Sequence, residues 1–173
     1  MHTIYFGGGC FWCIEAPFKL LKGVVSVVSG YMGGHQESPD YESICSGTSG
    51  HAEVIKIVFD QQVISLDLLL QVFFLVHDPT EKNRQGNDVG TQYRSVIYTN
   101  NDDDLRVSLE SKEIYQKELV KNNFKADSFE SITTEIEPVK NYYLAEEYHQ
   151  QYLAKNPNGY CGIGGTGCSF PKE

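Results

Sequence analysis

Phe6-Gly7-Gly8-Gly9-Cys10-Phe11-Trp12-Cys13 is the stretch around which the chain is organised. A short apolar run, residues 3–6, precedes it and reads as a strand; residues 14–21 follow and read as a helix. Glycines at a strand-to-helix junction let the backbone turn tightly and stay open to a ligand. Cys10 then falls at or near the helix start, where unpaired N–H groups and the helix dipole favour an anion. Such a setting lowers a thiol's pKa from about 8.5 into a range of roughly 3.5–7.5, so Cys10 is expected to be reactive. A small buried hydrophobe is the ordinary role of a cysteine, but that role does not need three glycines in front of it. Pro17, inside the proposed helix, kinks it or marks its true beginning.

Outward from that stretch, strands and helices mix without a regular βαβ rhythm. Residues 24–31 are β-branched and read as a strand, and 32–50 form a long polar loop with Gly33, Gly34, Gly47 and Gly50. Long loops in compact domains are usually functional. Residues 51–60 are the clearest strand: His51, Glu53, Ile55, Ile57 and Phe59 share one face by period two. Ser65 is a plausible N-cap for a helix over 66–77, apolar nearly all round and so expected to be buried. A second polar loop, 78–92, leads to a strand at 93–99. A helix then runs to about residue 122, with Asp102, Asp103 and Asp104 at its positive end. A strand is expected at 132–139 and a helix at 142–154. The pattern predicts an α+β fold: one domain, with a body of 1–155 and a glycine-rich tail of 156–173.

Composition narrows the function. The chain has 173 residues, enough for one real core. Its net charge of −9, with no Lys/Arg cluster, argues against a nucleic-acid partner and a membrane surface. The N-terminus lacks the basic region of a signal peptide, and the longest apolar run, 66–76, is too short to span a bilayer. Five cysteines in a chain of this size read as thiols of a reducing compartment, hence a cytoplasmic location, rather than as a disulfide framework.

Several residue types could carry chemistry. Cys10 and Cys13 form a C-x-x-C, a redox or metal motif. Cys161 and Cys168 lie in a tail whose glycines make it mobile on this reading, able to bring a second thiol to the first. Gly162–Gly167 matches the dinucleotide pattern G-x-G-x-x-G but has no helix after it, and is rejected. Glu53 stands on the face of Ile55, Ile57 and Phe59; if that face is buried, desolvation keeps the acid protonated near neutral pH, while the other reading puts it at the strand's exposed start. Tyr41 and Tyr93 could donate hydrogen bonds to a polarised oxygen, or simply pack. Phe11-Trp12 could cage an apolar group, or belong to the core. Cys45 reads as structural, as do His51, His77 and His149, none of which has metal-motif spacing.

Longer motifs then stand out: Gly9–Trp12, Gly30–Gly34, Tyr41–Glu53, His77–Thr80 and Asp88–Ser95. In this order they resemble the A-type peptide methionine sulfoxide reductases, over residues from about 3 to 168. The resemblance implies a two-layer α/β sandwich related to the ferredoxin-like fold. It implies Cys10 as the nucleophile, Glu53 as the acid that protonates the sulfoxide oxygen, and Tyr41 and Tyr93 as phenols holding that oxygen. Phe11 and Trp12 would wall the methyl pocket, and Asp88 would order the site. Cys161 would resolve the sulfenic acid on Cys10, and Cys168 would pass the disulfide to thioredoxin. The substrates implied are the S epimer of methionine sulfoxide in oxidised proteins and as the free amino acid. No cofactor or metal is implied, only a dithiol reductant, and a monomer is expected.

Cys13 stands where many members of that family have glycine. It could compete with Cys161, but residues three apart in a helix lack ideal disulfide geometry, so Cys161 is expected to resolve and Cys13 to be a bystander. Two rival readings use the cysteines alone: a zinc module of Cys10, Cys13, Cys161 and Cys168, and a general C-x-x-C disulfide oxidoreductase, which would not need Glu53.

Overall fold

The structure, a computed structural model, describes residues 1–125, 131–161 and 164–172. The remaining positions, 126–130, 162–163 and 173, include part of the Gly162–Gly167 motif, which therefore lies outside the described residues. Among the described residues there are eight strands: β1 (His2–Gly7), β2 (Val24–Met32), β3 (Ala52–Phe59), β4 (Arg84–Gln85), β5 (Asp88–Val89), β6 (Val96–Thr99), β7 (Glu135–Pro138) and β8 (Tyr142–Leu144). The α-helices are α1 (Phe11–Lys19), α2 (Tyr41–Cys45), α3 (Leu66–Val76), α4 (Asp102–Lys121) and α5 (Tyr152–Lys155). Six strands form one sheet in the order β7-β6-β1-β3-β2-β8, and β4 and β5 pair as a separate hairpin. All neighbours in the large sheet are antiparallel except β6 and β7.

Period-two patterning explains the layering. Ile4 and Phe6 of β1 and Ile55, Ile57 and Phe59 of β3 face α1, α3 and α4 in the main core, which also takes in Phe18, Phe73, Phe74 and Tyr115. Tyr5, Ala52 and Val54 face the other way, into a smaller cluster with Met32, Val96, Tyr98 and Tyr142. Glu53 belongs by period to the main-core side. Capping sets the helix ends: Ser65 accepts from the Leu68 N–H of α3 at 3.1 Å, and Asn101 accepts from the Asp104 N–H of α4 at 2.9 Å.

Four expectations are corrected. Residues 142–154 do not form one helix: they divide into β8, a 3-10 turn at Glu147–His149 and α5. Pairing competes with helix here, because Tyr142–Leu144 complete the edge of β2 opposite Gly30–Met32. The Gln150 amide then continues that edge, accepting from the Ser29 N–H at 2.9 Å and donating to the Ser29 carbonyl at 2.8 Å. The helix around Pro17 starts earlier than expected, at Phe11, with the proline inside its last turn. The first polar loop contains α2, held by a capping box between Asp40 and Ser43. Finally, α3 is not buried all round, since Leu68 and Leu75 are exposed.

The layering makes a direct prediction. Ile57→Ala should cost about 2–5 kcal/mol of stability in urea unfolding, as truncation of a fully buried aliphatic does. Val25→Ala, on an exposed side chain of β2, should stay within about 0.5 kcal/mol.

Candidate active site

Two glycines bring β1 to the site. Gly9 has φ +95, a conformation that L side chains rarely adopt, and it turns the chain into α1. Gly7 packs against β3 and β6: a Cβ there would stand 3.0 Å from the Glu53 carbonyl oxygen and 2.8 Å from Val96 Cγ1. Cys10 is the N-cap residue of α1, and its side chain makes no capping hydrogen bond. The capping acceptor comes from another strand instead. The Phe11 N–H, an unpaired donor of the first helical turn, donates to Glu53 Oε2 at 3.1 Å.

Glu53 is 1 % exposed. Burial pushes its carboxyl up to about 8, against the lowering effect of the Phe11 N–H, and the charge of Asp88 pushes the same way. Glu53 lies on a covered face, where desolvation disfavours its charged form, and the exposed-start reading fails. The Phe11 bond occupies Oε2, so the proton belongs on Oε1.

Cys10 departs from expectation. Its pKa is raised, first by a hydrogen bond with the Cys13 thiol, then by burial and by the charge of Glu53; the Trp12 N–H opposes them. A helix N-terminus is worth about 0.3–2 kcal/mol, or roughly 0.2–1.5 pKa units. Full burial moves a group by up to about 3–5 units. The helix start is present, but it is outweighed, and the resting group is a thiol. Cys13 is buried and is no bystander to that balance.

The aromatic residues converge. Phe11, fully buried, packs on Tyr31 and on His149, with ring centroids 5.7 and 5.1 Å apart. Trp12 stacks on Tyr152 at 3.7 Å, and its indole N–H donates to His149 Nδ1 at 3.0 Å. Tyr41 lies 4.5 Å from the same imidazole, centroid to centroid. His149 is buried, and burial lowers its pKa. Because Nδ1 accepts from Trp12, the ring proton sits on Nε2, 3.2 Å from Glu146 Oε2. Tyr41 and Tyr93 both have raised pKa values, chiefly through burial, so both phenols keep their protons to donate. Tyr93 also responds to Glu53, Asp88 and Cys10, which places all four groups in one electrostatic neighbourhood.

Polar anchors hold these parts together. Arg94 donates from Nη2 to the Gly50 carbonyl at 3.0 Å and from Nη1 to the Thr91 carbonyl at 2.9 Å. It thereby ties the segment leading to Glu53 to the 3-10 turn Thr91–Tyr93. His51 accepts from the Gly34 N–H at 3.0 Å and meets the Gln36 carbonyl at 2.7 Å, closing the loop that carries Tyr41. Glu15 of α1 is buried and accepts twice from the Gln151 N–H, at 3.1 and 3.0 Å, which fixes the segment bearing His149 and Tyr152.

The tail reaches the site through Tyr160, whose hydroxyl donates to Asp88 and whose pKa is raised by the charges of Asp88, Cys13 and Cys10. Cys161 follows it and is exposed. Cys168 is elsewhere, packed on the main core. Among the described residues no group of three or more His, Cys, Asp or Glu is placed to hold a metal ion, so the gathering that the zinc reading requires is absent there. Cys45 is exposed rather than buried and hydrogen-bonds with Tyr41. Tyr152 and Tyr160 are not singled out in the sequence, and His149 reads there only as a structural polar group. Their signal is contact between distant parts of the chain, as between His149 and Trp12, and no local pattern carries that.

The family model for peptide methionine sulfoxide reductase matches residues 2–167. The Vibrio parahaemolyticus peptide methionine sulfoxide reductase MsrA is 55% identical over 170 residues, covering 98% of this chain and 78% of that protein. Among solved structures, methionine sulfoxide reductase A of Corynebacterium diphtheriae superposes with a TM-score of 0.84 at 39% identity, over 98% of this chain and 82% of its own. Mxr1 from Saccharomyces cerevisiae in complex with Trx2 matches with a TM-score of 0.61 at 26% identity, over 99% of this chain and 90% of its own.

A buried acid with a raised pKa makes stability depend on pH. The folded state binds the Glu53 proton up to about 8, whereas an unfolded glutamic acid releases it near 4.3. Between those values the folded state holds the extra proton, so stability falls as pH rises. Glu53→Gln removes that contribution. The difference in melting temperature, variant minus wild type, should therefore grow from pH 5 to about pH 8 and level off above it; a constant difference would refute the assignment.

Proposed function

The chain belongs to the peptide methionine sulfoxide reductase family, and we propose that it reduces the S epimer of methionine sulfoxide with Cys10 as nucleophile and Glu53 as acid. One observation carries the reading: a buried, neutral carboxyl is fixed by the N–H next to the nucleophile. Sulfoxide oxygen is a poor leaving group until it is protonated, and Glu53 Oε1 holds the proton to give. Tyr41 and Tyr93 donate to the same oxygen. Phe11 and Trp12 accept the methyl group, so that a bound oxygen and a caged methyl fix the hand of the sulfur. Asp88 orders the phenols and, through Tyr160, the tail.

The electrons balance as follows. Cys10 sulfur attacks the sulfoxide sulfur, the oxygen passes to Cys10, and methionine leaves reduced by two electrons. The proton of the Cys10 thiol replaces the one that Glu53 gave. Cys161 then attacks the Cys10 sulfenic acid; a disulfide forms and water leaves. Cys168 attacks Cys161, releases Cys10, and offers a Cys161–Cys168 disulfide to thioredoxin. The complex of the yeast relative with Trx2 supports that last partner.

Oxidised proteins and free methionine sulfoxide both serve as substrate, and the enzyme works as a cytoplasmic monomer without a cofactor. Among the described residues no helix is long and apolar enough to cross a membrane. The central strand order β6-β1-β3-β2, with helices on one face, supports a ferredoxin-like sandwich as the fold.

Separated epimers with dithiothreitol as reductant test the reading. The S epimer alone should turn over, and Cys10→Ser should abolish turnover. Glu53→Gln should lower the single-turnover rate by about 10²–10⁴-fold, the usual worth of a positioned acid. The wild-type rate should fall as pH rises through about 8, where Glu53 loses its proton. Equal use of both epimers, or full activity of Glu53→Gln, would overturn it.

A further inference from the structure

The end of the tail is docked, not loose. Tyr115 of α4 is fully buried, and its hydroxyl meets Thr166 Oγ1 at 2.6 Å and donates to the Cys168 carbonyl at 3.3 Å. Phe170 stacks on the Tyr115 ring with centroids 5.0 Å apart and planes 13° apart, and reaches Phe74 of α3 at 6.4 Å. Gly165 passes so close to the last turn of α3 that a Cβ would run into the Leu75 carbonyl oxygen. Thr166 Oγ1 also accepts from the Cys168 N–H at 3.2 Å. The Cys168 residue is thus gripped on both sides and packed against the main core. The two tail cysteines have different anchors: Tyr160, next to Cys161, is tied to Asp88 at the site, while Cys168 is tied to Tyr115.

We propose that the Tyr115–Phe170 clasp withholds Cys168 from the first condensation, so that Cys161 alone meets the oxidised Cys10. The inference rests on the thiol roles proposed above. Chemically, either thiol could attack the sulfenic acid, since each attack forms one S–S bond, breaks the S–O bond and releases water. Reactivity alone does not order them; position does. Cys168 must first break its anchors, whereas Cys161 follows Tyr160, which Asp88 already holds at the site. Once Cys10 and Cys161 are joined, the tail is drawn at its other end, and Cys168 comes into play as the clasp opens.

Two variants loosen the clasp without touching the site: Phe170→Ala removes the stacked ring, and Thr166→Val removes the hydroxyl contact. In the reduced enzyme, iodoacetamide labelling read at each cysteine by mass spectrometry should show Cys168 reacting about five-fold faster in either variant, the factor that one net hydrogen bond is worth. Cys161 should be unchanged. In a Cys161→Ser background, one equivalent of methionine sulfoxide should leave the Cys10 sulfenic acid long-lived. Adding Phe170→Ala should speed the mapped Cys10–Cys168 disulfide by a similar factor. Unchanged labelling of Cys168, or an unchanged or slower disulfide, overturns the clasp. Failure to release methionine in the first turnover instead defeats the proposed function, and the labelling result still judges the clasp.

Discussion

The hydrogen bond from the Phe11 N–H to Glu53 is the contact on which the rest of the site depends. It joins the first turn of α1 to β3, and so sets the helix that follows Cys10 against the strand that carries Glu53. It meets the need of an otherwise unpaired helix donor that is buried away from water. It also occupies one carboxyl oxygen and leaves the other to carry a proton. A carboxylate accepting an N–H at a helix start would ordinarily be favoured in its charged form. Here burial wins, and the site keeps the acid while retaining the geometry of a cap.

The proposed walls of the methyl pocket depend on a different part of the chain. Phe11 and Trp12 come from the start of α1, but they are oriented by His149 and Tyr152, which follow β8. Two side chains position that segment: Glu15 holds the Gln151 N–H, and Gln150 extends the edge of β2. Both are buried or partly buried polar contacts, whose loss leaves an orphaned group and costs more than an exposed pair would. The aromatic cluster is therefore built between α1 and the segment after β8, and its arrangement is a property of the completed fold.

This explains what could be read from the sequence and what could not. The Gly-Gly-Gly-Cys junction marked the turn and the helix that starts after Cys10, because glycine's conformational freedom is a local property. Period two placed Glu53 on the face of Ile55 and Ile57, but only tertiary packing decided that this face is covered at its start. The lowered thiol pKa followed from the helix end alone, and it failed because the Cys13 contact and burial are larger effects. The helix expected over 142–154 lost to a sheet edge whose partner is more than a hundred residues away, too far to signal locally: Tyr143 pairs with Tyr31. Glycine content suggested a loose tail, whereas Tyr115 and Phe74 offered it a surface.

The resting protonation state fits the chemistry better than a standing thiolate would. A thiolate beside an ionised Glu53 would put two like charges in a buried site, and burial and mutual repulsion both oppose that arrangement. With both groups neutral, Cys10 and Glu53 hold the two protons that the proposed reaction moves and add no charge of their own beside Asp88. A neutral thiol is also a poor target for oxidants, since susceptibility follows thiolate character. In the proposed reaction, a bound sulfoxide changes the balance: its oxygen takes up the hydrogen bonds of Glu53, Tyr41 and Tyr93, and its sulfur becomes electron-poor next to Cys10. On that proposal the substrate calls out the thiol that attacks it, and the same burial that raises the thiol's pKa keeps Glu53 protonated for that moment.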